Sequence, residues 1–131
     1  MITIGNDKLR KTQALQYFED VSSNFKEVMS AYIQGAVYQY IKDNWEKDEI
    51  KFAARDLFGG VNWNWANTPL DELYKYHLSN GKTKSEAYET AAKDVGWLMK
   101  DVLKKDKNIT VDNSEEGYYT RIYKVIDKKN I

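Results

Sequence analysis

Residues 14–41, ALQYFEDVSSNFKEVMSAYIQGAVYQYI, decide the fold, because their apolar side chains recur at steps of three and four. That spacing is typical of one face of an α-helix, and it predicts a helix from about Lys8 to Asn44. Residues 22–24, SSN, offer an interruption and Gly35 a bend, so we expect one bent helix or two in succession. The predicted inner face comprises Leu15, Phe18, Val21, Phe25, Val28, Met29, Tyr32, Ile33, Ala36, Val37, Tyr40 and Ile41.

Two further helices are indicated by residues that start and stop helices. One is predicted over Asp48–Phe58, where the glycine pair at 59–60 would end it. The next begins with Thr68 as the N-cap and Pro69 in the first helical position, and it ends at the Asn-Gly pair at 80–81. These boundaries leave a connection of roughly eight to ten residues, longer than the usual 4 to 6.

A fourth helix opens at Thr83, whose spacing to Glu86 matches a capping box. Its apolar positions from Ala87 to Leu103 are the most regular in the chain. We expect its small residues, Ala91, Ala92 and Gly96, to let another helix approach closely. This helix is predicted to pack against the first one.

The last quarter of the chain is rich in β-branched and aromatic residues. Asn108–Val111 and Tyr118–Ile126, separated by the turn-like Asp112–Gly117, predict a hairpin, although the second segment also fits a helical period. A lone hairpin is marginal, and Met1–Ile4, MITI, could add a third strand. The predicted fold class is therefore mainly α (α+β), with four to five helices around a long N-terminal helix and a small C-terminal hairpin.

Length and charge limit the class of protein. The 131 residues fit one domain, 1–131, and the chain has no cysteine and a net charge of zero. Its start lacks the apolar run of a signal peptide, and the uncharged window Val28–Ile41 is shorter than the roughly 20 residues that span a bilayer, so we expect a cytoplasmic protein. No segment is strongly basic, which does not favour nucleic acid as the main ligand.

Catalytic and metal motifs are weak. His77 is the only histidine, and it lies on or beside the apolar face of the third predicted helix, where a structural role is the usual one. Neither a G-x-S-x-G nor a G-x-x-x-x-G-K pattern occurs, and no spacing of carboxylates with His77 matches a metal site. We expect no cofactor and no metal, and a non-enzymatic function more than an enzymatic one.

Aromatic residues are the strongest remaining signal, because ten tyrosines and four tryptophans exceed the needs of such a core, and both types anchor protein interfaces. The connection Leu57–Leu70, LFGGVNWNWANTPL, carries no charge and two of the tryptophans. It is either packed into the core or offered to a partner. The predicted partner-binding residues are Trp63, Trp65, Asn62, Asn64, Tyr118, Tyr119 and Tyr123.

Three functions stay open at this point. The leading hypothesis is a small interaction protein, monomer or homodimer, that binds and inhibits a larger protein. The lysine- and asparagine-rich composition of the chain resembles that of proteins from AT-rich bacteria and their phages. The protein is similar in type to phage or mobile-element accessory proteins, such as anti-CRISPR inhibitors of host defence. The alternatives are single-stranded nucleic-acid or nucleotide binding by stacking on the tryptophans, and a hydrolase or transferase that uses His77 and a carboxylate.

Overall fold

Five helices and four strands form the part of the chain that the computed structural model describes, residues 2–3, 13–21, 23–58, 65–117 and 120–128. The helices are α1 (Gln13–Val21), α2 (Ser23–Asp43), α3 (Ala54–Phe58), α4 (Asp71–Ser79) and α5 (Lys84–Lys105). The strands are β1 (Ile2–Thr3), β2 (Lys51–Phe52), β3 (Thr110–Gly117) and β4 (Thr120–Asp127). The mainly helical α+β class that the sequence predicts is confirmed.

The predicted long N-terminal helix is two helices in succession, α1 and α2. Residues spaced by four along α2, from Met29 to Ile41, are fully buried and form the centre of the core. Val28 does not belong to this inner face, as 48% of its surface is exposed. At 100° per residue it lies about 140° around the helix from Ile33, which explains why that prediction is wrong.

The start of α5 and the end of α4 follow the predicted chemistry. The Thr83 hydroxyl accepts from the Glu86 amide at 3.2 Å, and the Glu86 carboxylate accepts from the Thr83 amide at 3.0 Å, which is the predicted capping box. Gly81 has φ +89°, and the Lys82 amide donates to the His77 carbonyl at 3.2 Å. These features form a Schellman motif, which requires a left-handed residue that glycine supplies without strain.

The start of α4 differs from the prediction. Thr68 is not its N-cap, because its hydroxyl donates to the Trp65 carbonyl at 2.7 Å, and the helix begins at Asp71 with no side-chain cap. Residues 68–70 form a tighter turn in which the Asp71 amide donates to the Thr68 carbonyl at 3.2 Å. The connection before α4 therefore continues two residues further than the Thr68–Pro69 signal predicts.

The strands form one sheet in the order β1-β3-β4-β2, with β1 parallel to β3 and the other pairs antiparallel. The hairpin and the recruited N-terminal strand are confirmed, but two predictions are wrong. Asp112–Gly117 belongs to β3 rather than to the turn, and its register against β4 shifts between Asp112 and Glu115. Lys51–Phe52 is strand rather than helix, because it hydrogen-bonds the free edge of β4.

The core lies between α2, α4, α5 and the inner face of the sheet. As predicted, α5 packs against α2, and α4 packs against α5 as well. Ala91 is fully buried there, but Gly96 provides no close approach, since no described heavy atom lies within 4 Å of the place its Cβ would take. Among the helices of the described residues, none is both long and apolar enough to cross a membrane.

Candidate protein-binding surface

Between Glu27 and Lys42, the side of α2 that faces away from the core is exposed and uncharged. Val28, Ala31, Gly35 and Gln39 follow one another along it at steps of three and four, and all four are exposed. We call these four residues the α2 outer face. They span about 17 Å along the helix axis at 1.5 Å per residue. The outer side of a helix in a globular protein normally carries charged residues, so this surface is unusual.

Charged residues close the α2 outer face at both ends. Glu27 precedes it, and Lys42 follows it with its ammonium group 4.1 Å from the centre of the Trp45 ring. On the two flanks lie the half-buried rings of Tyr32 and Tyr38. The strip resembles a protein interface in one respect, which is that charged groups are absent from its centre and present at its rim.

Gly35 lies in the middle of the α2 outer face, and no contact with another described element accounts for it. A glycine within a helix costs roughly 0.5–1 kcal/mol relative to alanine. Apart from its own helix backbone, a Cβ built on Gly35 would have no heavy atom of the described residues within 4 Å, so no packing among those residues requires its small size. Its backbone also shows no positive φ. A glycine at an exposed helix position also leaves room for another surface to approach the helix backbone closely.

A groove of about 570 Å³ runs beside this face, between α2 and α5. It shares Glu27 and Ala31 with the surface just described and is otherwise lined mainly by polar side chains. On its α5 side, the Asp101 carboxylate binds Lys105 at 3.0 Å. A partner that lies on α2 can therefore place polar side chains in this groove.

Asp106 is one of the residues that line the groove, and its contacts fix the junction between α2, α5 and β3. Its carboxylate accepts from the Tyr38 hydroxyl at 2.5 Å, Gln34 Nε2 at 3.1 Å, and the amides of Asn108 at 2.7 Å and Ile109 at 3.2 Å. Burial raises the pKa of the carboxyl, but these hydrogen bonds outweigh it, so the pKa lies below its ordinary value. With its acceptor sites filled, Asp106 acts as a structural tie.

Two of the predicted partner-binding residues lie in the interior. Trp65 is 4% exposed, and its indole N–H donates to the Phe58 carbonyl at 3.1 Å. Tyr123 is 2% exposed, with its ring centre 6.0 Å from that of Phe52. Neither ring can touch a partner in this fold, so these two assignments are corrected to packing. This hydrogen bond also holds Phe58 and Trp65, both within the uncharged connection, next to each other.

Trp63, Asn62, Asn64, Tyr118 and Tyr119 lie outside the described residues, and their role as contacts stays a prediction from sequence. For the alternative of base stacking, Trp65 is unsuitable because it is buried. Trp45 is half-buried and is contacted by two lysines, with the Lys128 ammonium 4.0 Å from the ring centre and the Lys42 ammonium at 4.1 Å. The ring of Trp45 is therefore contacted by lysine ammonium groups where a stacked base would have to bind.

His77 is paired with a carboxylate, but the pair is enclosed. His77 Nε2 lies 2.7 Å from Asp94 Oδ2, and the exposed fractions of the two side chains are 6% and 0%. A general base must reach the proton of its substrate, which this ring does not do. The pair links α4 to α5, which agrees with the structural role predicted for His77. Within the described ranges, no three His, Asp or Glu side chains are grouped to hold a metal ion.

Comparisons with protein families, with curated proteins and with solved structures found no match. The α2 outer face was not predicted from the sequence, where the uncharged Val28–Ile41 window served to exclude a membrane-spanning helix and Val28 was assigned to the inner face. A signal for it was present, since the four large apolar residues spaced by four already fill the inner face. Uncharged residues on the opposite side of the same helix then need another explanation.

Proposed function

We propose that this protein is a small protein-interaction module and that the α2 outer face is the surface it offers to a protein partner. The observation that supports this most is Gly35. It lies at the centre of an exposed, uncharged helix face and carries a cost in helix stability that no contact inside the described protein repays.

Close approach explains this glycine physically. Helix axes that pack through large side chains lie about 8–10 Å apart, and a glycine at the crossing allows the shorter end of that range. Uncharged neighbours reduce the cost of removing water, because no ammonium or carboxylate group must be desolvated at the centre. The charges at Glu27 and Lys42 stay at the rim, where they orient a partner with little loss of hydration.

We extend the proposal to the kind of partner on the basis of composition alone. The protein would bind and inhibit a host macromolecule, as accessory proteins of phages and mobile elements do, including inhibitors of host defence of the anti-CRISPR type. The contacts to that macromolecule would include Trp63, Asn62, Asn64, Tyr118 and Tyr119, which sequence favours. This part of the proposal does not depend on the α2 outer face. It can be wrong while the proposal for that surface stands.

A site-specific cross-linking experiment tests the proposed surface. The chain has no cysteine, so Ala31→Cys introduces a unique thiol on the α2 outer face for a photo-reactive maleimide. The matched control is Lys93→Cys, at an exposed position on α5. We expect protein adducts from position 31 and few from position 93, both in lysate and with the purified protein alone. Equal yields at both positions would contradict the proposal.

A further inference from the structure

We infer that the α2 outer face binds a second copy of this chain, with the two α2 helices antiparallel and Gly35 near the two-fold axis. The inference rests on the proposed function, because it names the occupant of the same surface. Its basis is that, when two α2 helices are placed antiparallel, the charges and the sizes of the side chains on one helix are complementary to those on the other.

The charges at the two ends of the α2 outer face favour the antiparallel orientation over the parallel one. Glu27 lies eight residues before Gly35 and Lys42 seven residues after it, about 12 Å and about 10 Å along the axis. In an antiparallel pair centred on Gly35, Glu27 of each chain is level with Lys42 of the second copy, and this happens twice by symmetry. In a parallel pair, Glu27 would face Glu27 and Lys42 would face Lys42.

The angular positions of the charged residues around α2 also fit the antiparallel arrangement. At 100° per residue, Glu27 and Lys42 lie about 80° and about 20° to the same side of Gly35, and a two-fold axis keeps them on that side. Asp43 lies about 80° to the opposite side, where its carboxylate accepts from Gln39 Nε2 at 2.8 Å. The negative charge next to Lys42 is therefore turned away from Glu27 of the second copy.

Side-chain size is complementary along the same line. Tyr38 and Ala31 lie on one flank of Gly35, three residues after it and four before it, so each tyrosine is level with an alanine of the second copy. Tyr32 and Gln39 have the matching relation on the other flank. Large residues thus meet smaller ones, and glycine meets glycine where the helices are closest.

The Lys42 ammonium is already positioned for this contact. The Trp45 ring holds it at 4.1 Å, at the end of α2 that would meet Glu27 of the second copy. A group that is ordered before binding loses less conformational freedom when the ion pair forms. Glu27 is exposed at the other end of the helix. The pairs stay exposed to solvent, so they add specificity more than affinity and weaken with salt.

Exchanging the two charges tests the inference. Glu27→Lys and Lys42→Glu each place like charges opposite one another at both ends, and we expect each to raise the dimer dissociation constant about tenfold at low salt. An equimolar mixture of the two variants restores opposite charges at both ends. Sedimentation velocity should therefore show dimers in the mixture at concentrations where each variant alone is monomeric. The matched control Asp43→Lys should leave self-association close to that of the wild type.

Each outcome bears on the inference. A wild type that stays monomeric up to about 1 mM, or variants whose mixture is no more dimeric than its components, would overturn it. If the purified protein gives no self-adduct at position 31 while lysate gives an adduct with another protein, the proposed surface stands and its occupant is wrong. If neither sample gives an adduct, both proposals fall. Circular dichroism and a melting curve establish that the charge variants are folded.

Discussion

Replacing Gly35 by alanine should raise the stability of the protein and weaken its association. Gly35 lies inside α2, twelve residues from its start and eight from its end, so fraying at the ends does not hide its effect. Apart from its own helix backbone, the new methyl group meets no heavy atom of the described residues within 4 Å, so no clash with them offsets the gain. The expected gain is the difference in helix propensity, about 0.5–1 kcal/mol.

The size of the thermal shift follows from the length of the chain. At about 2.1 cal/mol/K per residue, 131 residues give an unfolding entropy of about 0.28 kcal/mol/K, so the gain corresponds to about 2–4 °C in Tm. The assay is differential scanning calorimetry at high dilution, where self-association does not contribute. The same variant should then bind its partner less tightly in sedimentation or cross-linking.

Gly96→Ala is the matched control. Gly96 lies inside α5 and also has no described heavy atom within 4 Å of its Cβ position. We expect it to stabilise by a similar amount and to leave association unchanged, because it is not on the α2 outer face. A Gly35→Ala variant that is less stable than the wild type would refute the reasoning, since the fold itself would then need the glycine. So would a stabilised variant that associates normally.

Three further predictions concern interactions inside the fold. His77→Ala leaves the buried Asp94 carboxylate without its 2.7 Å partner, and the free energy of unfolding in urea should fall by about 3 kcal/mol. Because the pKa of Asp106 is lowered in the folded state, the carboxylate stabilises the fold above its ordinary pKa of 3.8, and this contribution is lost as pH falls through the lower folded-state value. Acid titration should therefore destabilise the wild type more steeply below pH 3.8 than Asp106→Asn. Thr83→Ala removes one half of a capping box and should cost about 1 kcal/mol by thermal melting, and normal stability would contradict its role as a cap.

Local chemistry made α5 predictable from sequence. Thr83 and Glu86 satisfy the free amides of its first turn, and its apolar positions keep the helical period up to Leu103. The boundaries that depend on distant partners were not predictable in this way. Phe52 becomes strand because β4 lies beside it, and β4 is about seventy residues away along the chain. A helical period in residues 48–58 carries no information about that edge.

The candidate surface was harder to predict than the fold for a related reason. Trp65 and Tyr123 have the chemistry of interface anchors and of core residues alike, and only their neighbours decide between the two. Phe58 and Phe52 supplied those neighbours. In contrast, Gly35 has no side chain whose chemistry would draw notice. The proposal for Gly35 rests on an absence of contacts with other described elements, which sequence does not report.

Asp106 has a consequence for how the molecule opens. Its bonds to Gln34 and Tyr38 join residues 72 and 68 positions apart, and its bonds to Asn108 and Ile109 hold the entry to β3. The start of the hairpin cannot detach without releasing the middle of α2. The two segments should therefore behave as one cooperative unit in native-state hydrogen exchange, with amides of both becoming exposed at the same free energy. In Asp106→Ala, the hairpin would open at a lower free energy than α2.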